Sequence, residues 1–408
     1  MIVKPFRGLR PRGDLAAKIP SYPYDVISRE EALQLAGDDP HSFLHVIRSE
    51  IDLESSVDSY DDRVYEQSRK NFRSMIDNGW LVRDARPAYY VYRLRMGGHT
   101  QTGIVGAAAV CDYKQDRIKK HELTRPAKED DRVRVVRTLG AHPGPVFLTY
   151  AADDGLNGIV AAVVEGAPAV SFTAPDDILH QLWVVDDVEI CGEIERLFAA
   201  VPATYVADGH HRAAAASRAA EGLGSQGSGH FLAVHFPSNE VRVFDYNRVV
   251  RDLHGLTVDG FLDRVREAGF DVQPGHADRR PTQRGSFGMY LDGGWYLLTA
   301  RAEIVPDDIL GRLDVSILTD RLLGPLLGIE DPRTDTRIDF VGGVRGMEEL
   351  EKRVDSGGDA VAFALYPTSL DDLMAVADAG QVMPPKSTWF EPKLRSGMVV
   401  QLLDDETL

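Results

Sequence analysis

The stretch ATYVADGHHRAAAASRAA (Ala203–Ala220) joins an apolar run directly to an alanine-rich run. The residues TYVAD predict a strand and AAAASRAAEGL predicts a helix, so the polar group between them lies at a strand–turn–helix junction. At such a junction the side chains lie over the helix N-terminus, where unpaired N–H groups and the helix dipole attract anions. The junction therefore predicts a phosphate-binding site.

Five consecutive junction residues supply the chemistry of such a site: Asp208, Gly209, His210, His211 and Arg212. Gly209 lets the backbone approach an anion closely, and Arg212 can bind two phosphate oxygens at once. The imidazoles donate hydrogen bonds or move protons, and Asp208 suits a metal ion on the phosphate or a general base. The structural alternative makes Asp208 the helix N-cap and the histidines partly buried side chains whose hydrogen bonds are satisfied by neighbours. A zinc site is disfavoured, because adjacent histidines leave a helix in different directions.

The composition is that of a globular protein that does not favour nucleic acid. The 408 residues carry 63 acids against 46 bases, and the net charge of -17 opposes nonspecific binding to phosphate backbones or anionic lipid. The only cysteines, Cys111 and Cys191, lie far apart, which excludes a disulfide framework and a CxxC zinc site. The N-terminus MIVKPFRGLRPRG has no apolar signal region and no run is long enough to span a membrane, so we expect a cytoplasmic protein.

The length favours two domains. Alternating strand and helix patterns predict an α/β region over residues 1–250, with a hairpin of AYYVYRLRM and IVGAAAVCDY and a strand at GIVAAVVEG (158–166). An α+β segment is predicted over residues 251–408, with a hairpin turning at DGG (292–294). The expected fold class is therefore mixed α/β, and the patterns indicate no oligomeric state.

A charged helix is predicted by HELTRPAKEDDR (His121–Arg132), with Pro126 in its first turn and Glu122 just outside it. Cations at offsets of three and four share one face of this helix: Arg125, Lys128 and Arg132. They would add positive charge to the phosphate site if that face lines the same cleft. The competing interpretation is a solvated face on which the cations pair with Glu129 and Asp131.

A second anion clamp is predicted in MPPKSTWFEPK (Met383–Lys393), where two prolines forbid a regular helix. The loop offers a cation and two hydroxyls that suit a phosphate or a carboxylate: Lys386, Ser387 and Thr388. The alternative is a tail that docks Trp389 and Phe390 into the core.

Five motifs in their order along the chain resemble the bacterial and archaeal family called domain of unknown function 1015: YPYDVIS, HELTRPAKEDDR, YVADGHHRAAAA, LDVSILTDRLLGPLLGI and MPPKSTWFEPK. The resemblance extends from Tyr22 to Gly397, which is almost the whole chain. The junction motif alone is similar to the central motif of the ParB and sulfiredoxin superfamily. That similarity implies a nucleotide-binding core around the strand–DGHHR–helix unit, within which DGHHR holds nucleotide phosphates.

Two branches of that superfamily do not fit. Sulfiredoxins carry a cysteine where this chain has His210, which excludes sulfinic-acid repair by a thiol. The chromosome-partitioning ParB proteins need a DNA-binding helix-turn-helix, for which this acidic chain shows no match. The free serine kinases remain, so the resemblance implies a kinase that uses ATP or ADP with Mg²⁺ to phosphorylate free L-serine or a related hydroxy amino acid.

The resemblance also implies roles for the residues named above. Asp208 would hold the metal and take part in catalysis with His211, while the other junction residues, the charged-helix cations and the Lys386–Thr388 loop would bind ligand. Glu122 is the expected base and Asp25, in the YPYDVIS motif, is its reserve. A nucleotide hydrolase and a nucleotide-sensing module without turnover are the alternative functions.

Overall fold

The structure is a computed structural model that describes residues 1–221, 226–275 and 278–403. The chain forms two compact units. Unit 1 consists of Met1–Val241 with Pro392–Leu408, and unit 2 consists of Arg242–Glu391. The two domains predicted from the sequence, 1–250 and 251–408, stay a prediction, and the described residues from Pro392 onward belong to unit 1. In the described part of the chain, no helix has the length and apolar character needed to cross a membrane.

Unit 1 is built on a mixed nine-stranded sheet. Up to residue 241 the described strands of unit 1, inside and outside this sheet, are β1 (Val3–Lys4), β2 (Leu9–Pro11), β3 (Leu81–Arg83), β4 (Tyr89–Met96), β5 (His99–Ala109), β6 (Ile118–Lys119), β7 (Ala141–His142), β8 (Val146–Tyr150), β9 (Val170–Thr173), β10 (Leu179–Val185), β11 (Thr204–Asp208) and β12 (His230–Pro237). The sheet order is β6-β11-β8-β12-β5-β4-β10-β9, with β1 beside β5. The predicted hairpin is confirmed as β4 and β5. The sheet therefore places β11 next to β8 and β6.

The described residues of unit 1 include eight α-helices: α1 (Arg29–Ala36), α2 (Leu44–Ile47), α3 (Asp62–Asp77), α4 (Val110–Lys114), α5 (Pro126–Leu139), α6 (Asp154–Val163), α7 (Val188–Ala200) and α8 (His210–Ala219). The strand predicted at residues 158–166 is wrong, because residues up to Val163 belong to α6. Asp153 caps α6 by accepting the Leu156 N–H at 2.9 Å. The apolar residues of α6 pack on the core of unit 1 at helical spacing: Leu156, Ile159, Val160 and Val163.

Helices α5 and α8 pack against each other through small side chains. One buried cluster joins them: Val133, Val136, Ala215, Ala219 and Leu403. On the outer side, the Arg218 guanidinium of α8 contacts Glu129 at 3.1 Å and Asp130 at 2.6 Å. The alanines explain how two helices can approach closely, because their side chains take up little space between the helix axes. The packing brings the charged helix beside the DGHHR helix.

Unit 2 contains a six-stranded antiparallel sheet in the order β15-β17-β16-β19-β14-β18 and a short β13-β20 pair. Its strands are β13 (Val243–Phe244), β14 (Tyr246–Val250), β15 (Phe270–Pro274), β16 (Ser286–Leu291), β17 (Gly294–Ala300), β18 (Ile338–Gly342), β19 (Val361–Leu365) and β20 (Trp389–Phe390). Its helices are α9 (Val258–Glu267), α10 (Asp314–Leu318), α11 (Met347–Asp355) and α12 (Leu370–Asp378). The predicted hairpin is confirmed, since Asp292 and Gly293 turn with φ of 48° and 76° between β16 and β17.

After unit 2 the chain returns to unit 1. There β21 (Gln401–Leu402) pairs with β7, and Val400 pairs with Leu9. The mixed α/β class predicted from the sequence is confirmed by the sheets and helices of both units.

Candidate functional site

The strand–turn–helix junction predicted from the sequence is confirmed. Strand β11 ends at Asp208, and α8 begins at His210. Gly209 between them is the helix N-cap and has a φ of 92°, a left-handed conformation that side chains disfavour. The structural alternative required Asp208 to be the N-cap, and the structure shows that it is not. A glycine at this position lets the chain turn directly from the sheet into the helix.

Asp208 forms an ion pair with a lysine from the far end of the chain. Its Oδ2 lies 2.9 Å from Lys393 Nζ, and its Oδ1 accepts the Gly209 N–H at 2.9 Å. Burial acts to raise the pKa of Asp208, but Lys393 and Arg212 outweigh it and lower that pKa below its usual value. The lowered pKa means that Asp208 is an ionised carboxylate. Its side chain is 39% exposed, so a ligand can reach it.

His210 lies in a buried pair of imidazoles. Its ring centre is 4.5 Å from that of His121, edge to face, and its Nδ1 is 3.5 Å from Glu122 Oε2. Burial, followed by the neighbouring His121 and His211, lowers the pKa of His210 well below its usual value, and burial lowers the pKa of His121 to about 4. Both rings are neutral at pH 7. Within the described structure, His210 Nε2 has no hydrogen-bond partner.

His211 connects the starts of two helices. Its Nε2 accepts the N–H of Arg125, the N-cap residue of α5, at 3.0 Å. Burial first, and then the positive charge of Lys128, lower the pKa of His211. The ring is therefore neutral, with its proton on Nδ1, because Nε2 is an acceptor in this contact. His211 holds the first turn of α5 beside the first turn of α8.

Two arginines approach the same aromatic ring. The guanidinium carbon of Arg132 lies 3.8 Å from the Tyr24 ring centre, and that of Arg212 lies 5.5 Å from it. Arg132 is held by Asp131, which accepts from its Nε at 2.8 Å, and Arg212 Nη1 donates to Pro145 O at 2.8 Å. The Tyr24 hydroxyl is buried and has no hydrogen-bond partner among the described residues. Cations held over an aromatic face are fixed in position before a ligand arrives.

A cavity of about 240 Å³ adjoins this cluster and is lined by Tyr24, Asp25, Lys128 and Arg132 among others. Its volume approaches the lower end of ligand sites, roughly 300 Å³. A narrower hollow is lined by Asp25, Asp208, Gly209 and Arg212. Asp25 thus lines both spaces.

The predicted cationic face of the charged helix is only partly present. Lys128 and Arg132 line the same cavity, whereas Arg125 precedes α5 and is exposed. Glu122 is 48% exposed and lies beside His210. Arg132 pairs with Asp131, as the solvated-face alternative required, but the two side chains are largely buried and not solvated.

The Lys386–Thr388 loop belongs to unit 2, whereas the Asp208–Arg212 junction belongs to unit 1. Lys386 Nζ lies 5.3 Å from the Tyr246 ring centre, and the Ser387 hydroxyl donates to Pro384 O at 2.6 Å. The docked-aromatic alternative is met in part, because Phe390 of β20 is buried whereas Trp389 is half-buried. Ser387 is buried as well, so its hydroxyl is committed to the loop itself.

The sequence reading missed two residues of the site. Tyr24 stands next to Asp25 in YPYDVIS, and Lys393 is the last residue of MPPKSTWFEPK. Tyr24 could have been found as an aromatic residue beside a candidate acid. The pairing of Lys393 with Asp208 joins residues that are 185 positions apart, and nothing local in the sequence indicates it.

The fit of Mg²⁺ can be tested on the carboxylates of the narrow hollow. Asp25 and Asp208 both line it, and carboxylate oxygens are ligands that Mg²⁺ prefers. The described residues contain no group of three or more His, Cys, Asp or Glu side chains placed to hold a metal. The residues fit a Mg²⁺ ion that takes one or two protein ligands and completes its shell with phosphate oxygens and water.

Comparison with known proteins gives a family but no activity. No curated protein matches the chain. A conserved hypothetical protein from Pyrococcus furiosus is 14% identical with a TM-score of 0.36, over 74% of this chain and 95% of that one. A free serine kinase in complex with AMP is 14% identical with a TM-score of 0.36, over 75% of this chain and 93% of that one. SbnI from Staphylococcus aureus, with a C-terminal truncation, is 11% identical with a TM-score of 0.40, over 74% and 90%.

Structural likeness at these TM-scores is too distant to carry an activity to this chain. The family evidence is of a different kind, because it comes from the sequence and covers most of it. The model of the family described as protein of unknown function (DUF1015) matches residues 3–316. The chain therefore belongs to the DUF1015 family.

Proposed function

We propose that the protein is a nucleotide-dependent kinase that phosphorylates the hydroxyl of free L-serine or a related hydroxy amino acid. The observation that carries the proposal is the grouping of Lys128, Arg132 and Arg212 around Tyr24, beside spaces that Asp25 also lines. Phosphoryl transfer needs cations around the developing negative charge and a carboxylate at the attacking hydroxyl. The acceptor class rests on the similarity of the Asp208–Arg212 motif to free serine kinases.

The cations are assigned to the nucleotide phosphates. Arg132 and Arg212 are both positioned by the Tyr24 ring, and Lys128 lines the larger cavity with Arg132. Guanidinium groups bind phosphate oxygens in pairs, so two fixed arginines orient a polyphosphate chain as well as attract it. His211 acts as a positioning residue, because its contact with Arg125 keeps the start of α5 beside α8.

The base is assigned to Asp25 in preference to Glu122. Asp25 lines both the cavity with Lys128 and Arg132 and the narrower hollow with Arg212. A base must lie within hydrogen-bond reach of the hydroxyl that it deprotonates, and a carboxylate that lines both spaces would be within reach of a hydroxyl beside the bound phosphates. Glu122 instead lies next to the buried His210. Asp25 would orient the serine hydroxyl and accept its proton as the phosphoryl group is transferred.

Mg²⁺, when bound with the nucleotide, would spread the negative charge of the phosphates. Asp208 is assigned as its protein ligand, with Asp25 on the same hollow. Asp208 already pairs with Lys393, so its carboxylate is held in place before any ligand binds. The pairing keeps Asp208 ionised, which is the form that a metal ligand needs.

Incubation of the protein with ATP or ADP, Mg²⁺ and L-serine tests the proposal, with products followed by phosphorus NMR. The kinase produces phosphoserine in an amount equal to the nucleotide consumed. Free phosphate without phosphoserine would show that the protein is a nucleotide hydrolase. Saturable nucleotide binding without any turnover, measured by calorimetry on the same preparation, would show a sensing module. Either of these results would overturn the kinase proposal.

A further inference from the structure

Unit 2 contains a buried arginine without an acidic partner. Arg248 lies on β14, between β19 and β18, and is 3% exposed. Its Nη1 donates to Tyr246 O, and its Nη2 donates to Lys386 O at 3.0 Å. No aspartate or glutamate among the described residues pairs with it, and burial lowers the pKa of its guanidinium only to about 10. Arg248 therefore carries a full positive charge at pH 7 without a counter-ion.

A buried charge of this kind is costly unless something compensates it. Buried ions in proteins are normally paired or hydrogen-bonded throughout, because a charge loses its hydration when it is removed from water. The two carbonyl contacts engage two of the five N–H donors that a guanidinium offers. The Phe340 ring also lies 5.4 Å from the guanidinium carbon, but neither the ring nor the carbonyls carry a negative charge, so Arg248 can still pair with an anion from outside the chain.

Arg248 lines a cavity of about 90 Å³ within unit 2. A water molecule takes up roughly 30 Å³, so the space admits a molecule of a few heavy atoms and excludes a nucleotide. Ser316 and Thr319 bring hydroxyl groups to its wall, and Asp320 is the one acidic residue among the lining residues that the structure describes. The cavity therefore offers a guanidinium, hydroxyls and a carboxylate to one small ligand.

The wall that carries the hydroxyls has an unusual backbone. After α10 the chain makes a wide π-helical turn at Thr319–Leu323, in which Gly324 N–H donates to Thr319 O at 2.9 Å. Turns of this kind occur often at functional sites, because they change the direction in which side chains leave a helix. The Thr319 hydroxyl donates to Val315 O at 2.7 Å, so its oxygen remains able to accept from a ligand.

We propose that this cavity binds a small α-amino acid, with its carboxylate on Arg248 and its ammonium group on Asp320. A single guanidinium matches the single charge of a carboxylate, whereas the nearby Asp320 would repel the two charges of phosphate. A zwitterion satisfies both residues at once. The site involves residues of unit 2 alone, so it stands or falls independently of the kinase proposed for unit 1.

The site also gives a different role to the loop predicted as a clamp. The predicted groups were the side chains of Lys386, Ser387 and Thr388. In the structure the loop contributes Pro384 and Pro385 to the cavity wall and the Lys386 carbonyl to Arg248. Lys386 has a φ of 59°, a conformation uncommon outside glycine, and such residues cluster at ligand sites.

Calorimetric titration of the full chain with L-alanine tests the proposal. L-alanine has no side-chain hydroxyl, so the proposed kinase does not phosphorylate it, and the comparison with Arg248→Met assigns its binding to the unit 2 cavity. We expect saturable binding, and a loss of affinity of about tenfold or more in Arg248→Met. Arg333→Met is the matched control, because Arg333 is an exposed arginine of unit 2 that pairs with Asp331, and its affinity should equal that of the wild type. No saturable binding to the wild type, or equal affinity in Arg248→Met, would overturn the proposal.

A second comparison does not depend on the folding of Arg248→Met. Propionate lacks the ammonium group of L-alanine and should bind several-fold more weakly, as expected when a charge-assisted bond is lost. In Asp320→Asn, which changes an exposed residue, L-alanine should lose its advantage over propionate, because L-alanine loses its ammonium contact and propionate no longer meets a negative charge. An unchanged ratio of the two affinities would remove Asp320 from the site. Tighter binding of inorganic phosphate than of L-alanine would show a phosphate site instead.

Discussion

The two units present arginine in contrasting ways. In unit 1, Arg132 and Arg212 approach one Tyr24 ring, and a cavity of about 240 Å³ adjoins them. In unit 2, no carboxylate among the described residues pairs with Arg248, which lines a cavity of about 90 Å³. Several fixed cations around a larger space suit a ligand with several negative charges, whereas one buried cation at a small space suits a single carboxylate. The proposed ligands of the two units therefore differ because the number of cations and the size of the adjoining space differ.

The substitution Asp25→Asn should have the largest effect, and it tests whether unit 1 carries the chemistry. Loss of a base in phosphoryl transfer costs about 100-fold to 10,000-fold in rate. We expect phosphoserine formation to fall by at least about 100-fold, because the amide does not accept the proton of the serine hydroxyl. Nucleotide affinity should change little, since the cations remain. Initial rates and a nucleotide titration of the same variant measure both quantities.

Glu122→Gln is the matched control for that experiment, since it also replaces one acid by its amide. Glu122 lies beside His210 and is 48% exposed, so we expect a change of less than about threefold in rate, as for surface changes away from a reacting group. A large loss in Glu122→Gln with a small one in Asp25→Asn would exchange the two assignments. Neither substitution should alter L-alanine binding in unit 2.

Arginine substitutions compare the two units directly. Arg212→Met should weaken nucleotide binding by about 10-fold to 100-fold, because charge-assisted hydrogen bonds contribute about 1.5–3 kcal/mol. Arg248→Met should leave nucleotide binding unchanged, and Arg212→Met should leave L-alanine binding unchanged. Titration of each variant with both ligands provides the measurement. If each substitution weakened both ligands, the assignment of separate anions to the two units would be wrong.

Acid should destabilise unit 1 through its buried histidines. His235 on β12 is buried, and neither ring nitrogen has a hydrogen-bond partner among the described residues. Burial first, and then the Met1 amino group, lower the pKa of His235 to about 3. The unfolded chain, with a pKa near its usual ~6.5, then binds more protons than the folded chain between pH 6.5 and about 3. Stability therefore falls as the pH is lowered through this window.

Replacement of the ring isolates this contribution. As the pH is lowered, the free energy of unfolding should decrease less in His235→Phe than in the wild type. The difference between the two should be up to about 1.4 kcal/mol for each pH unit below ~6.5. Urea unfolding at pH 7 and at pH 4.5 measures the difference. A pH dependence identical to that of the wild type would mean that His235 is protonated equally in the folded and unfolded states.

The sequence predicts the local parts of this molecule better than the distant ones. The end of β11 at Asp208 and the start of α5 at Pro126 follow from turn and capping residues that stand next to each other in the chain. The strand predicted at residues 158–166 failed because an apolar run of that length fits a strand or a helix, and the Asp153 cap decides for α6. Local pattern identified the elements that hold the candidate site.

Contacts between distant residues carry the rest of the site. The pairing of Asp208 with Lys393 depends on the return of the chain to unit 1 after residue 391. In the sequence, Arg248 is one polar residue of a predicted strand, and only the fold shows that no carboxylate among the described residues pairs with it. Burial and charge pairing are properties of the folded chain, so no motif reports them.

The smallest expected effect concerns the turn that positions Arg212. Gly209 has a φ of 92°, and a Cβ added there would meet Val146 Cα at 3.5 Å, which is ordinary contact. Gly209→Ala should therefore destabilise the protein by about 1–2 kcal/mol through backbone strain alone. Gly192→Ala is the control, because Gly192 lies inside α7 with open space around it and should gain about 0.5–1 kcal/mol. Urea unfolding of both variants checks the opposite signs, and a destabilised Gly192→Ala would contradict this account of the helices of unit 1.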